Sequence, residues 1–242
     1  MHLREVRILS DAFPTRDHYP FNLRVLQETP ALALSSAVTF FVGENGTGKS
    51  TLLEAIARKA GIHIWEGMYR ARHGRHPHEK RLHTALEIDW TDGSVPGSFF
   101  ASTSFDSFAR LLDEWASATP DVLNYFGGES LITKSHGQSI MAFFRSRYAV
   151  KGLYLLDEPE TALSPKSQIE LLQVLDDAVS AGLAQFIIAT HSPILMACPG
   201  AHICSFDSAP VSRMAYEDTS HFQLYRDFLN NLYKEAAGGS QK

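Results

Sequence analysis

A glycine-rich segment that ends in a lysine and two hydroxyl residues is the part of the chain best suited to do chemistry. An apolar strand is predicted before it and a helix after it, which is the setting of a phosphate-binding loop. Backbone N–H groups of such a loop surround phosphate oxygens, the lysine contacts the β- and γ-phosphates, and the first hydroxyl is a ligand for Mg²⁺. The predicted phosphate-binding residues are Gly43, Glu44, Asn45, Gly46, Thr47, Gly48, Lys49, Ser50 and Thr51. A glycine turn that matches by chance is the alternative.

Two adjacent carboxylates, Asp157 and Glu158, follow the apolar run 153–156. A buried strand does not readily bury charged side chains, so both are expected to emerge at its end. Asp157 is predicted to hold the Mg²⁺ shell together with Ser50. Glu158 is predicted to orient and deprotonate an attacking water. An acidic turn with no catalytic role is the alternative, which the nearby phosphate loop disfavours.

The elements that must position these residues alternate between strands and helices. Strands are predicted over 3–9, 38–42, 85–90, 153–156, 185–189 and 202–206, and helices over 51–60, 105–115, 139–148, 165–182 and 221–233. Ser164 and Pro165 are typical of a helix start, and the helix that follows is predicted to carry Ile169, Leu172 and Leu175 on one apolar face. The last helix is predicted to be amphipathic and to close the fold. The pattern indicates an α/β fold with a largely parallel sheet flanked by helices, with the chemical residues after the carboxyl ends of strands.

Composition narrows the function classes. The chain has 242 residues, 44% hydrophobic and 20% charged, with a net charge of −5. These values argue against wholesale disorder and against coating of nucleic acid by bulk charge alone. Cys198 and Cys204 lack the spacing of a metal or redox motif and are expected to be reduced. With no signal-peptide pattern and no apolar run long enough to span a bilayer, we expect a cytoplasmic protein.

The order of these motifs resembles that of the ABC-type ATPase superfamily. Besides the phosphate loop and the acidic pair, the segment Thr190-His191-Ser192-Pro193 resembles the switch histidine of that family. The resemblance implies a P-loop NTPase with an ABC-type core that uses ATP and Mg²⁺, with Glu158, His191 and Lys49 as its catalytic residues. It implies a single domain over 1–242, with residues 1–98 and 150–242 as the nucleotide-binding core. Residues 99–149 are then a smaller helical subdomain that carries the signature motif.

The signature itself is an imperfect match. The segment Lys134-Ser135-His136-Gly137-Gln138 lies where the family has LSGGQ, with Lys134 in place of leucine and His136 in place of a glycine. By resemblance, Ser135, Gly137 and Gln138 would bind the γ-phosphate of ATP held by a second subunit, in a two-fold homodimer with ATP between the subunits. A serine-rich helix cap is the alternative.

Two departures bear on the biological role. Transporter subunits of the family carry a glutamine loop before the signature, but no glutamine lies between Gln27 and Gln138. Ser102, Thr103, Ser104 or Asp106 could replace it, and the sequence does not choose among them. The second departure is that the loop after the acidic pair ends in Ser164-Pro165, where transporters usually have aspartate. The run from Asp157 to Pro165, with the histidine segment, looks more like small non-transporter AAA/ABC-like ATPases related to the RecF-like and overcoming-lysogenization-defect enzymes.

We therefore predict Mg-dependent ATP hydrolysis by a soluble ABC-type ATPase whose ATP-dependent dimer acts as a conformational switch. The alternatives are the nucleotide-binding subunit of an ABC transporter and a binding module with little turnover. A nucleic acid or another protein is a possible partner, and the basic stretch Arg70–Arg81 could contact it or could be a solvated loop. Tyr19 or Phe21 could stack on adenine or pack in the core.

Overall fold

The computed structural model describes residues 1–65, 77–126, 128–133 and 136–238, and within them two sheets and their covering helices. The strands are β1 Leu3–Ile8, β2 Ala31–Ala33, β3 Val38–Val42, β4 Leu86–Trp90, β5 Gly97–Ala101, β6 Gly152–Asp157, β7 Ala184–Ala189, β8 His202–Ser205 and β9 Ser212–Met214. The helices are α1 Arg24–Glu28, α2 Lys49–Lys59, α3 Ser102–Ala118, α4 His136–Arg147, α5 Pro165–Ser180, α6 Pro193–Met196 and α7 Ser220–Gly238. The predicted mixed α/β fold is confirmed.

The larger sheet positions the candidate site. Its strand order is β5-β6-β7-β3-β8-β9, and all neighbours are parallel except β9, which pairs antiparallel with β8. Because the strands are parallel, the phosphate loop after β3, the acidic pair at the end of β6 and His191 after β7 reach the same edge. In register, Asp157 lies opposite Ala189 on one side and Ala101 on the other.

A second, antiparallel sheet has the order β2-β1-β4. The sequence predicts β1 and β4 as strands but does not assign them to a separate sheet, because alternation of side chains does not specify a strand's partner. Helix α2 contacts β4 of this sheet and β6 and β7 of the larger one. Gln185 of β7 also joins the sheets, because its buried side chain bonds the backbone of His2 and Leu3.

Apolar cores lie on both faces of the larger sheet, and β3 contributes to both. Phe41 packs into the core shared with α2 and the smaller sheet, whereas Phe40 and Val42 pack into the core under α3, α4 and α5. This alternation is the reason that all five residues of β3 are buried. A strand buried on both faces is expected in a parallel sheet covered by helices.

Helices α3 and α4 occupy most of the segment between β5 and β6, and they share an aromatic core with the sheet. Phe100 of β5 lies 4.8 Å from Phe144 of α4, and Phe105 of α3 lies 5.8 Å from Phe143, measured between ring centroids. The division into residues 1–98 and 150–242 against 99–149 stays a prediction.

Helix α5 begins where predicted, and of its predicted apolar face Leu175 is buried and Leu172 packs partly buried against the same core. Ser164 is the N-cap, with its Oγ accepting from the N–H of Ser167 at 3.2 Å, and Pro165 is the first helical residue. The prediction for Ile169 is wrong, because its side chain is 61% exposed. The residues buried on this helix are Gln168, Leu171, Leu175 and Ala178. Gln168 is buried because its amide bonds the Leu163 carbonyl and the Ser192 hydroxyl.

The predicted last helix is present as α7, but its apolar residues do not close the fold. Five of them are about half exposed or more; they are Leu224, Tyr225, Phe228, Leu229 and Leu232. Within the described residues, no helix combines the length and the apolar character that crossing a membrane would require.

Candidate functional site

The phosphate loop has a backbone that only glycine adopts easily. Gly43, Gly46 and Gly48 have φ values of 139°, 83° and 104°, in the region that side chains disfavour. Gly48 is also the N-cap of α2, so the N–H groups of the first helical turn lack helical partners and face the loop. The helix dipole adds partial positive charge there, which makes this end of α2 suited to an anion.

Lys49 is the buried cation of the site. Its Nζ donates to the carbonyls of Gly43 at 2.6 Å and Glu44 at 2.8 Å, and the residue is 4% exposed. Burial lowers the pKa of Lys49, while the carboxylates of Glu158, Asp207, Asp157 and Glu44 act in the opposite direction. One lysine therefore faces several acidic groups.

Ser50 and Asp157 meet across the sheet although 107 residues separate them. The Ser50 hydroxyl donates to Asp157 Oδ1 at 2.7 Å. Asp157 ends β6, between β5 and β7, whereas Ser50 lies in the first turn of α2. Two side-chain oxygens of the kind that binds Mg²⁺ therefore lie next to each other beside the phosphate loop.

Glu158 has an unusual backbone conformation. With φ 46° and ψ 55°, it is the one non-glycine residue with positive φ in the described part of the chain. Such a conformation costs about 1–3 kcal/mol and is found preferentially at functional sites. Its N–H donates to the Ala189 carbonyl at 2.9 Å, and Pro159 follows it, so both neighbours restrain this turn. The carboxylate is held beside His191, with Glu158 Oε1 3.7 Å from His191 Nε2.

His191 is held by two hydrogen-bond contacts. Its backbone N–H donates to Glu160 Oε1 at 2.6 Å, and its Nδ1 lies 3.1 Å from Nε2 of His221. Nε2 of His191 is buried and has no hydrogen-bond partner among the described residues, so it is available to a ligand atom. Burial lowers the pKa of His191, and the charges of Lys49 and His221 add to this effect. Burial raises the pKa of Glu160.

Three residues of the site have no assigned role in the sequence analysis. Glu160 follows the acidic pair by two residues and holds the histidine loop. Asp207 follows β8, and its Oδ1 accepts from the Glu44 N–H at 2.7 Å. This bond fixes the backbone of the phosphate loop to the segment after β8. His221 lies in the first turn of α7. Only Glu160 has a sequence signal, its closeness to Glu158; the other two depend on strand order and on where α7 begins.

The predicted signature residues lie at the start of α4. Gly137 and Gln138 are in its first turn, while Lys134 and Ser135 lie outside the described residues. A Cβ at Gly137 would be 3.6 Å from the carbonyl of Ala162, in the loop that follows the acidic pair. His136 Nδ1 lies 3.0 Å from Asp106 Oδ1, which joins α4 to α3. The role of these residues toward a second subunit stays a prediction.

The structure separates the candidates for the glutamine-loop position. Ser102 accepts from the Thr161 hydroxyl at 2.6 Å, and the same hydroxyl lies 2.9 Å from the Glu158 carbonyl, so Ser102 is next to the acidic loop. Ser104 donates back to the Ala101 carbonyl at 3.2 Å. Asp106 is engaged with His136. Ser102 is therefore linked through Thr161 to the backbone carbonyl of Glu158, and its replacement of the glutamine stays a prediction.

The structure also separates the two aromatic candidates. Phe21 is fully buried and packs against Phe13, at 4.8 Å between ring centroids, so it is a core residue and cannot stack on adenine. Tyr19 is 43% exposed, and its hydroxyl lies 2.6 Å from Thr51 Oγ1 beside the phosphate loop. Most of the basic stretch Arg70–Arg81 lies outside the described residues, so its proposed contact with nucleic acid stays a prediction.

Comparison with known proteins agrees with this geometry. Residues 139–197 match the family model described as "AAA domain, putative AbiEii toxin, Type IV TA system". None of the curated proteins is detectably similar in sequence.

Solved structures give a wider match. One described as "An inward-facing conformation of a putative metal-chelate type ABC transporter" is 18% identical, with a TM-score of 0.53 over 92% of this chain and 88% of that one. One described as "Structure of ATP binding subunit of ABC transporter" is 16% identical, with a TM-score of 0.50 over 96% and 98%. The SMC head domain from Thermotoga maritima is 17% identical, with a TM-score of 0.46 over 88% and 98%. The first two of these structures show that the chain has the fold of the ABC-type ATPases.

Proposed function

We propose that the chain binds Mg-ATP at residues 43–51 and hydrolyses it to ADP and phosphate. The observation that carries this proposal is the convergence of Lys49, the Ser50–Asp157 pair, Glu158 and His191 at one edge of the larger sheet. These residues follow three different strands, β3, β6 and β7. A site that only binds phosphate would not need Glu158 beside His191, so this pair supports hydrolysis as well as binding.

The charges around Lys49 favour ATP with its metal over ATP alone. Four carboxylates act on the Lys49 ammonium, and each of them would repel a triphosphate that arrives without its metal. Mg²⁺ bound by Ser50 and Asp157 would offset that repulsion and neutralise charge that develops on the phosphates. Lys49 would exchange its bonds to the Gly43 and Glu44 carbonyls for phosphate oxygens.

Glu158 and His191 suit the hydrolytic step. The water oxygen attacks the γ-phosphorus, the bond to the bridging oxygen breaks, and ADP leaves with that electron pair. Glu158 takes the proton that the water loses. The buried Nε2 of His191 faces the same space and would donate to a γ-phosphate oxygen or to the water. Glu160 supports this arrangement by bonding the His191 backbone.

The dimer is the proposed switch. Ser135, Gly137 and Gln138 of one subunit would bind the γ-phosphate in the other, so that ATP favours the closed dimer and hydrolysis removes that preference. A nearly complete shift between the two states requires about 5 kcal/mol of differential binding, which several charge-assisted hydrogen bonds could supply. A soluble, cytoplasmic homodimer with a protein or nucleic-acid partner remains the preferred biological setting.

A role as the nucleotide-binding subunit of a transporter is the second candidate. Two structures of this fold are described as an ABC transporter and as an ATP-binding subunit of one, which supports the candidate at the level of the fold. The stretch without glutamine between Gln27 and Gln138 and the His136 variant of the signature disfavour it.

The deciding experiment measures ATP binding and solution mass together. Glu158→Gln should retain ATP and double its mass by light scattering only with Mg-ATP, whereas Lys49→Ala should bind no ATP. Glu114→Gln, on the exposed side of α3, is the matched control and should turn over ATP like the wild type.

Each outcome has a distinct meaning. If wild-type chain fails to bind Mg-ATP by calorimetry, the proposed function is wrong. If Glu158→Gln binds ATP but stays monomeric, the self-sandwich is wrong and a missing partner chain, such as a transporter subunit, becomes the better explanation. ATP binding that EDTA leaves unchanged would contradict the metal site at Ser50 and Asp157.

A further inference from the structure

His221 contacts the site from helix α7. Its Nε2 lies 3.1 Å from Nδ1 of His191, with the ring centroids 5.2 Å apart and the ring planes inclined at 60°. This distance and inclination fit an N–H···N hydrogen bond rather than stacking. Residue 221 is the second residue of α7, whereas His191 follows β7.

The start of α7 is fixed against the histidine loop by other bonds. The Tyr216 hydroxyl donates to the carbonyl of Pro193, two residues after His191, at 2.8 Å. Thr219 is buried, and its Oγ1 accepts from the Phe222 N–H at 3.2 Å, in the manner of a helix cap. The rings of Tyr216 and Phe222 lie 4.7 Å apart. The contact between the two histidines is therefore held from both sides of His221.

Which nitrogen of His191 carries its proton depends on this contact. A neutral imidazole has one N–H, so the nitrogen that donates leaves the other as an acceptor. If His221 Nε2–H donates to Nδ1, the proton of His191 must be on Nε2, which faces Glu158. If His191 donates instead, its Nε2 presents a lone pair to the Glu158 carboxylate 3.7 Å away, which is repulsive. The Glu158 carboxylate thus favours the arrangement in which His221 donates and His191 carries its proton on Nε2.

We propose that His221 is a positioning residue that donates to His191 and keeps the His191 proton on Nε2, directed into the site. This inference rests on the proposed function for its purpose, because only an Nε2–H can donate to a phosphate or water oxygen. Burial lowers the pKa of His191, so the neutral ring, in which the tautomer matters, is favoured. The hydrogen bond that orients an active-site histidine commonly determines its tautomer in this way.

The test compares two substitutions that differ only in the donor. His221→Phe retains an aromatic ring but cannot donate, whereas His221→Gln retains an N–H donor. His83→Phe is the matched control, because the His83 ring bonds the Lys80 carbonyl rather than the site. The tautomer of His191 is read in the full chain without nucleotide, by long-range ¹H–¹⁵N NMR, with the signals assigned through His191→Gln.

Wild-type chain, His221→Gln and His83→Phe should show His191 with its proton on Nε2, and His221→Phe should show both tautomers. For ATP hydrolysis, His221→Phe should lower kcat about 10-fold, the effect of losing roughly one orienting hydrogen bond, with ATP affinity unchanged. His221→Gln should restore most of the loss.

The proposal is overturned if wild-type His191 carries its proton on Nδ1, or if His221→Phe leaves the tautomer unchanged. An unchanged kcat in a His221→Phe variant with mixed tautomers would also overturn it. If the wild-type chain hydrolyses no ATP, the proposed function fails, while the NMR comparison still decides the role of His221. The two failures are therefore distinguishable.

Discussion

Replacing Gln185 by methionine should remove the hydrogen bonds that join the two sheets, and so lower the free energy of unfolding, with little change in side-chain size. The Gln185 carboxamide is fully buried, and its Oε1 accepts from the N–H groups of His2 and Leu3, each at 2.7 Å. Its Nε2 donates to the Leu3 carbonyl at 2.8 Å. Gln185→Met removes all three bonds and leaves three backbone groups without these partners.

The size of the effect follows from those three groups. A buried polar group left unsatisfied costs about 1–3 kcal/mol. Taking the low end of that range for each of the three groups, we expect a loss of about 3 kcal/mol in total. Domains of this size lose about 2–4 °C of Tm per kcal/mol, so Tm should fall by about 6–12 °C.

Urea unfolding followed by circular dichroism measures this loss directly. Gln173→Met is the control, because Gln173 lies on the exposed side of α5 and makes one surface bond to Asp177 at 2.9 Å. It should change the free energy of unfolding by less than about 0.5 kcal/mol. If Gln185→Met also changes the free energy of unfolding by less than about 0.5 kcal/mol, with an unchanged slope against urea concentration, Gln185 does not hold the two sheets together.

Three further predictions concern other parts of the fold. Ser164→Ala removes the N-cap of α5 and should lower the free energy of unfolding by about 1 kcal/mol, and an unchanged urea midpoint would contradict the cap. Gly97→Ala would place its Cβ 2.2 Å from the Leu153 carbonyl, so we expect a loss of about 1–3 kcal/mol or more in the same assay; wild-type stability would mean that β5 and β6 pair less closely. Burial raises the pKa of Cys198 and of Cys204 from 9.0 to about 11, so at pH 8 each has about 100-fold less thiolate than an ordinary thiol. Alkylation by iodoacetamide should therefore be slow in native protein, rise with pH up to about 11, and become fast in urea; fast labelling of native protein at pH 8 would refute the shift.

The phosphate loop, the acidic pair and the histidine were predictable because each depends on a few consecutive residues. Positive φ at Gly43, Gly46 and Gly48 follows from the absence of a side chain, and the parallel sheet follows from alternating strands and helices. That sheet also brings Asp157 to Ser50, since parallel strands end at one edge. The family resemblance added the role of His191, which its surroundings in the sequence do not reveal.

The apolar pattern was less informative about which residues face the core. Ile169 is exposed on α5, whereas polar Gln168 is buried because Leu163 and Ser192 satisfy its amide. Five apolar residues of α7, from Leu224 to Leu232, remain exposed, whereas Phe222 of the same helix packs against Tyr216. The spacing of apolar residues predicts an apolar face on a helix, but the neighbouring elements decide whether that face is buried.

The sequence alone therefore indicated the local groups of the candidate site: a glycine-rich loop with a lysine, two carboxylates after a strand, and a histidine after the next strand. Only the tertiary structure decided which distant groups complete the site. Asp207 supports the phosphate loop from 163 residues away, and His221 meets His191 across 30 residues. Such contacts are set by strand order and by where each helix begins, and they leave no periodic pattern. A single side chain that bonds a distant partner has no signature in its own neighbourhood, so its role appears only when the chain is folded.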